Sequence, residues 1–222
     1  MKPEKIPEKA VTRLSIYLRC LEELTAEGAV SVSSRELAER FGLNSAQVRK
    51  DLAYFGQFGV RGLGYYITEL THNLERILGL KQDWQVALVG VGNLGSALLA
   101  YKGFQARGFK LSVAFDTDPH KDGQVIGGIP IQGMHTLVPT LRRLKVKIAL
   151  LTVPAIAAQS VADLLVEAGV TAILNFAPTQ LTVPDSVKVQ YVDLSVLLKT
   201  LTYHTVRARP AKPEPRFPGR VA

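Results

Sequence analysis

Three glycines and one carboxylate carry the most specific chemistry in the chain. In ALVGVGNLGSALLAY, Gly90, Gly92 and Gly95 sit between an apolar run and a segment with helical spacing. In that setting Gly90 permits a tight turn, Gly92 admits a diphosphate close to the backbone, and Gly95 lets the helix pack on the strand. Backbone N–H groups at the helix start, around Val91, Asn93 and Leu94, then face the pyrophosphate. The carboxylate is Asp116, which ends the next apolar run about twenty residues beyond the last glycine. It would accept hydrogen bonds from the ribose hydroxyls and repel a 2′-phosphate, which favours NAD over NADP. Asp118 is the alternative, and both acids could instead cap the turn before Pro119.

Two further stretches belong to the same edge. Thr152, Val153 and Pro154 end one apolar run, and Asn175 and Phe176 end another, where ligands of open α/β sheets bind. Prolines at such places also serve simply to stop strands. Acid–base chemistry is harder to find. His72, His120, His135 and His204 are isolated, without a neighbouring carboxylate or metal-ligand spacing. Hydride transfer to a substrate needs a proton donor or acceptor and a surface for that substrate. Residues 82–205 are taken up by the nucleotide-binding pattern itself, so the expectation is a protein that measures a dinucleotide and catalyses nothing.

The elements that must position these residues follow from patterning. A chain of 222 residues with 47% hydrophobic content is long enough for one ordinary domain and a small one. No apolar run of membrane-spanning length and no secretory leader is present, so a cytoplasmic location is expected. Cys20 is the single cysteine, which excludes an intrachain disulfide and a multi-cysteine metal site. The net charge of +8 is compatible with nucleic-acid contact. The first 80 residues are nearly balanced, with eleven basic and ten acidic side chains, so DNA binding there rests on local placement.

That placement is helical. Val11, Leu14, Leu18 and Leu21 recur at spacings of three and four and predict one buried helix face. Ser33 and Glu36 have capping-box spacing, and Gly42 ends the short helix they open. In NSAQVRKDLAYF, capped by Asn44 or Ser45, the stripe Val48, Leu52, Phe55 turns inward and leaves Gln47, Arg49 and Lys50 outward, with Tyr54 one turn on. Two short helices joined by a glycine turn fit a helix-turn-helix whose second helix enters a major groove. GQFGVRGLGYY can form a tight hairpin, a wing on which Arg61 reaches a phosphate or the minor groove, or else a glycine-rich connector to the next helix with its aromatics filling the core.

From Trp84 onward VALVG, LSVAFD, VKIALLTV, VTAILNF and VKVQYVD alternate with helical segments. This is the pattern of a doubly wound parallel sheet. The expected fold class is therefore α/β, a winged helix-turn-helix domain (1–80) followed by a Rossmann-like domain (81–192). A C-terminal helix (193–209) and a proline-rich disordered tail (210–222) complete it.

SAQVRKDLAYFGQFGVRGLGYY, followed by VGVGNLGSALLAY, AFDTDP, ALLTVP and ILNFAP in that order, resembles the Rex family of redox-sensing transcriptional repressors over roughly Val11 to His204. The resemblance implies a homodimer that binds palindromic double-stranded operator DNA and leaves it when NADH binds, repressing fermentation and respiration genes when the NADH/NAD ratio is low. It also implies a last helix exchanged between subunits and a switch made by residues matching Arg19, Tyr101 and Asp193. NAD carries a cationic ring and NADH a neutral one, so a carboxylate such as Asp193 distinguishes them and Arg19 can compete for it. Many relatives place Phe after that aspartate; here it is Leu194, so either the ring pocket is plugged more weakly or Phe104 or Phe176 contributes instead. The competing readings are a small NAD(P)-dependent oxidoreductase and a CoA- or nucleotide-binding regulator.

Overall fold

The computed structural model describes residues 6–207, and the 210–222 tail expected to be disordered lies outside them. Contacts divide the chain into two units, Met1–Asp83 and Trp84–Ala222.

The first unit holds four helices: α1 (Glu8–Ala26), α2 (Ser34–Phe41), α3 (Ser45–Ala53) and α4 (Ile67–Ile77). The Ser33–Glu36 capping box is formed in both directions, and Gly42 closes α2 at φ 63°, a left-handed conformation that glycine adopts without cost. Asn44, not Ser45, caps α3: its Oδ1 accepts the N–H groups of Ala46 and Gln47 at 2.9 and 3.0 Å. The core joins Leu14, Tyr17, Leu21 and Leu24 of α1 to Leu37, Val48, Leu52, Leu70 and Leu74. Each leucine so buried stabilises by about 1.5–3 kcal/mol. Val11 departs from expectation. It is 40% exposed, and Ala10 takes the buried place in that turn.

Two strands that sequence patterning does not reveal complete this unit. β1 (Ser31–Val32) and β2 (Tyr65–Tyr66) pair antiparallel, so the segment after the expected wing returns to the residues ahead of α2. The wing itself is a tight loop in which Val60 and Gly64 exchange backbone hydrogen bonds at 2.7 and 3.0 Å. Gly64 is required at its root, because φ is +96° and a Cβ would fall 2.5 Å from the Val32 carbonyl oxygen.

The second unit contains a seven-stranded sheet. Its strands are β3 (Trp84–Val89), β4 (Phe109–Asp116), β5 (Val125–Ile126), β6 (Ile129–Gly133), β7 (Ile148–Leu151), β8 (Ala172–Asn175) and β9 (Lys188–Tyr191). The order is β5-β6-β4-β3-β7-β8-β9. All pairings are parallel except β5 with β6, an antiparallel edge that corrects the all-parallel expectation. β3 is buried on both faces over its last four residues, Val86 to Val89, as that apolar run requires. Ala87 and Val89 meet α6 (Leu137–Leu144) and α7 (Ala155–Glu167). Val86 and Leu88 meet Leu99 of α5 (Asn93–Ala100) on the other side.

The last described element, α8 (Leu194–Arg207), has no buried residue. Leu194, Leu197, Leu198 and Leu201 are each at least 60% exposed. The expected exchange of this helix between subunits therefore concerns an element without an intrachain core.

Candidate dinucleotide cleft and nucleic-acid interface

The glycine loop connects the end of β3 to α5. Gly90 has φ +97°, and a Cβ there would lie 2.7 Å from the Thr152 carbonyl oxygen. A Cβ on Gly95 would overlap the Gly90 carbonyl oxygen, so both positions are closed by backbone. Gly92 differs. Its φ is an ordinary −80°, and nothing lies within 4 Å of an added Cβ. The loop thus leaves open space at the start of α5, where the unpaired N–H groups of a helix attract an anion. Asn93 and Leu94 are exposed there, whereas Val91 turns its side chain into the core.

The neighbouring strands hold this shape. Gly90 N–H donates to the Phe115 carbonyl at 2.8 Å, and the Thr152 hydroxyl donates to the Val89 and Gly90 carbonyls at 3.0 and 2.7 Å. Asp116 binds the loop directly. Its Oδ2 accepts the Val91 N–H at 2.7 Å, and its Oδ1 accepts the Asp118 N–H at 2.8 Å. Lys121 Nζ reaches Asp116 at 3.1 Å and also donates to the Val91 carbonyl at 3.0 Å. Burial works to raise the Asp116 pKa; the N–H groups of Asp118 and Val91, together with Lys121, outweigh it and hold the group below the usual carboxylate range. Asp118 caps the turn at His120, as one of the two sequence alternatives has it.

A cleft of about 380 Å³ opens among these groups, lined by Gly90, Gly92, Asp116, Lys121, Thr152, Val153 and Pro154. It therefore combines an anion-receptive helix start with an ionised carboxylate, which suits a diphosphate joined to a ribose.

Asn175 and Phe176 lie beyond this cleft. Asn175 is 1% exposed, and its carboxamide is fully engaged within the chain. Its Nδ2 donates to the Ala177 and Thr179 carbonyls, and its Oδ1 accepts the Ala177 N–H. Its side chain thus shapes the turn bordering a second hollow, of about 260 Å³, lined also by Gln180, Tyr191 and Asp193. Phe176 is half-buried. Asp193 caps α8, accepting from Ser195 N–H at 2.9 Å and from the Ser195 hydroxyl at 2.7 Å. The Ser195 hydroxyl is the main cause that lowers its pKa. Tyr101 is 53% exposed and meets Phe104 edge to face, with 5.1 Å between ring centroids. Arg19 stands in the other unit, exposed, 4.0 Å from Glu23 along its own helix.

In the first unit the outer surface of α3 presents Arg49 and Lys50, with Ser45 and Tyr54 half-buried beside them. Arg49 donates to the Ser34 hydroxyl at the start of α2 at 2.9 Å. Arg61 is exposed within the Val60–Gly64 loop.

Sequence patterning passes over Asp51. It is completely buried, and four donors fill its oxygens: Arg13 through Nε and Nη2 at 2.5 and 2.7 Å, the Tyr17 hydroxyl at 2.7 Å and Gln47 Nε2 at 2.7 Å. Burial raises its pKa, but the hydrogen bonds from Arg13, Tyr17 and Gln47 prevail and lower it. The same contacts raise Arg13, with the Asp51 hydrogen bond the largest cause. This ion pair ties α3 to α1.

Known proteins resemble the chain in the same two parts. A family model described as CoA binding domain matches residues 81–179, and one for a DNA-binding protein N-terminus matches residues 5–53. A redox-sensing transcriptional repressor Rex of Pelotomaculum thermopropionicum is 50% identical over 93% of this chain and 97% of its own. The Rex of Carboxydothermus hydrogenoformans is 50% identical over 93% of this chain and all of its own. Among solved structures, a Rex-family repressor, RSP, in complex with β-NAD⁺ and operator DNA has a TM-score of 0.86 at 40% identity, covering 92% of this chain and 94% of that one. RSP in complex with β-NADH has a TM-score of 0.84 at 38% identity over 92% and 96%. With the winged reader and the glycine-loop cleft in one polypeptide, and identities of this order over nearly its whole length, the chain belongs to the Rex family of redox-sensing transcriptional repressors.

Proposed function

We propose that the protein is a homodimeric, cytoplasmic, non-enzymatic repressor that occupies palindromic operator DNA and leaves it when NADH binds. The observation that carries the reading is the cleft in which Asp116, ionised and directed at the glycine loop, stands beside the open space at Gly92. Those residues suit an NAD(H) diphosphate and ribose, and related RSP structures contain β-NAD⁺ with operator DNA and β-NADH. The bound dinucleotide supplies a ring that is cationic when oxidised and neutral when reduced. In this reading Asp193, Tyr101 and Arg19 convert that charge difference into domain rearrangement. A 100-fold preference of NADH for the DNA-free arrangement corresponds to roughly 2.8 kcal/mol per site, enough for two sites to invert a DNA-binding equilibrium.

The exposed apolar face of α8 supports exchange of that helix between two copies. A two-fold dimer presents two α3 helices to half-sites about 34 Å apart, or a multiple of that distance. The described residues hold no group of three or more His, Cys, Asp or Glu able to bind a metal, and no helix among them is long and apolar enough to cross a membrane.

The test is to titrate the operator-bound protein separately with NADH, NAD and CoA. NADH releases the DNA, whereas NAD and CoA leave it bound. A complex that survives saturating NADH overturns the sensor reading, and release by CoA alone reassigns the cleft to the CoA ligand class.

A further inference from the structure

Gln47 lies in the first turn of α3, the part of a recognition helix that meets base edges. Its carboxamide has two chemically opposite ends, and Asp51 decides which of them is turned inward. An ionised carboxylate only accepts hydrogen bonds, so the inward end must be Nε2, held at 2.7 Å from Oδ1. The reversed amide would set Oε1 against a carboxylate oxygen. Asp51 in turn cannot move to accommodate it, because Arg13 grips both of its oxygens and Tyr17 holds Oδ2. Gln47 Oε1 is left without a protein partner among the described residues, and it is not sealed from solvent.

We propose that Gln47 is a specificity-determining residue whose Oε1, oriented by Asp51, accepts a hydrogen bond from an exocyclic amino group in the operator major groove. Adenine N6 and cytosine N4 are the two such donors there; guanine and thymine present acceptors at the corresponding places. An unrestrained glutamine can present either end of its amide, so the buried ion pair between α1 and α3 acts as a selector of base chemistry as well as a strut. This inference rests on the reading of α3 as the DNA-recognition helix.

The experiment first selects the preferred duplex from a random pool with the wild-type dimer. It then removes exocyclic amino groups one at a time, placing purine for adenine and pyrimidin-2-one for cytosine. One position in each half-site is expected to lower wild-type affinity by roughly 5- to 100-fold. Gln47→Met, which keeps the side-chain length and loses both amide ends, should bind the intact and the deleted duplex equally at that position while retaining its response elsewhere. Asp51→Asn, whose own amide lets Gln47 turn over, should accept a base pair that wild type rejects at that position. If no amino deletion weakens wild type more than twofold, or if Gln47→Met is as sensitive as wild type at every position, the proposal is overturned. The deletion series on wild type can overturn the proposal without any variant, and Gln47→Met, confirmed as folded by its helical circular dichroism, assigns the sensitive position to Gln47. Failure of wild type to enrich any palindrome is a different outcome, which overturns the DNA-reader reading itself.

Discussion

Asp116 and Lys121 face each other at 3.1 Å across the entrance to the glycine loop. The carboxylate accepts the Val91 N–H as well, so the group suited to a ribose also fastens the loop that would carry the diphosphate. Asp116→Ala is expected to weaken NADH binding by roughly 10- to 150-fold, the equivalent of one charge-assisted hydrogen bond. Operator affinity without NADH should not change. The substitution also frees Lys121, so discrimination against NADPH should narrow. Calorimetric titration with both dinucleotides reads the two effects, and an unaltered NADH/NADPH ratio would show that the pair plays no part in selection.

Gly92 provides a control in which fold and ligand are separable. A methyl at Gly95 meets backbone, but a methyl at Gly92 meets nothing within 4 Å among the described residues. Gly92→Ala should therefore leave stability within about 0.5 kcal/mol of wild type. It should reduce NADH affinity by about tenfold or more if the diphosphate takes the open space at Gly92, as proposed above. Thermal denaturation with and without NADH measures both. Preserved stability together with lost NADH stabilisation is the expected pattern.

The buried Asp51 ion pair gives acid stability a definite sign. The folded-state pKa lies below the unfolded value of about 3.9, so the carboxylate stabilises the fold fully above that pH. The contribution disappears as pH falls through the lower, folded-state pKa. Breaking the pair with Asp51→Ala should cost about 3 kcal/mol at neutral pH, since Arg13 keeps partial contact with water. The gap between wild type and Asp51→Ala should stay constant above about pH 5 and shrink below about pH 4. Urea denaturation followed by helical circular dichroism across that range checks the sign.

Arg61 sits in the Val60–Gly64 loop, exposed, where a phosphate contact would release counterions. Arg61→Ala is expected to weaken operator binding and to lower the slope of log affinity against log salt by about 0.9 for each such contact. An unchanged slope would remove Arg61 from the phosphate-contacting set.

Local grammar was legible in the sequence where the determinant is itself local. The Ser33–Glu36 box, the Gly42 stop and the spacing of Gly90, Gly92 and Gly95 are each fixed by neighbouring backbone. β1, β2 and β5 escape such reading because two-residue strands carry no periodicity, and β6 follows the Gly127–Gly128 pair and contains Pro130. Asp51 escapes for a different reason. Its burial depends on Arg13 and Tyr17 arriving from another helix, 38 and 34 positions away. Asn175 shows the converse, a polar residue at the ligand-binding edge whose hydrogen-bonding capacity is consumed by its own turn. Val11 follows the helical spacing and still lies outside the core, since Ala10 is the residue that packs at the start of α1.

The hydrophobic clusters of the two units share no member: the first ends with Leu80 and the others begin at Trp84, so Lys81, Gln82 and Asp83 are all the chain between them. A substitution on the outer face of α3, the proposed operator surface, is absorbed by the first unit's cluster, and a substitution that retunes the glycine loop is absorbed by those of the second. Selection can then vary which genes are addressed and which metabolic poise is answered along separate mutational routes. A chimaera joined within those three residues, carrying the reader of one relative and the cleft of another, should inherit its address from the first parent and its dinucleotide preference from the second.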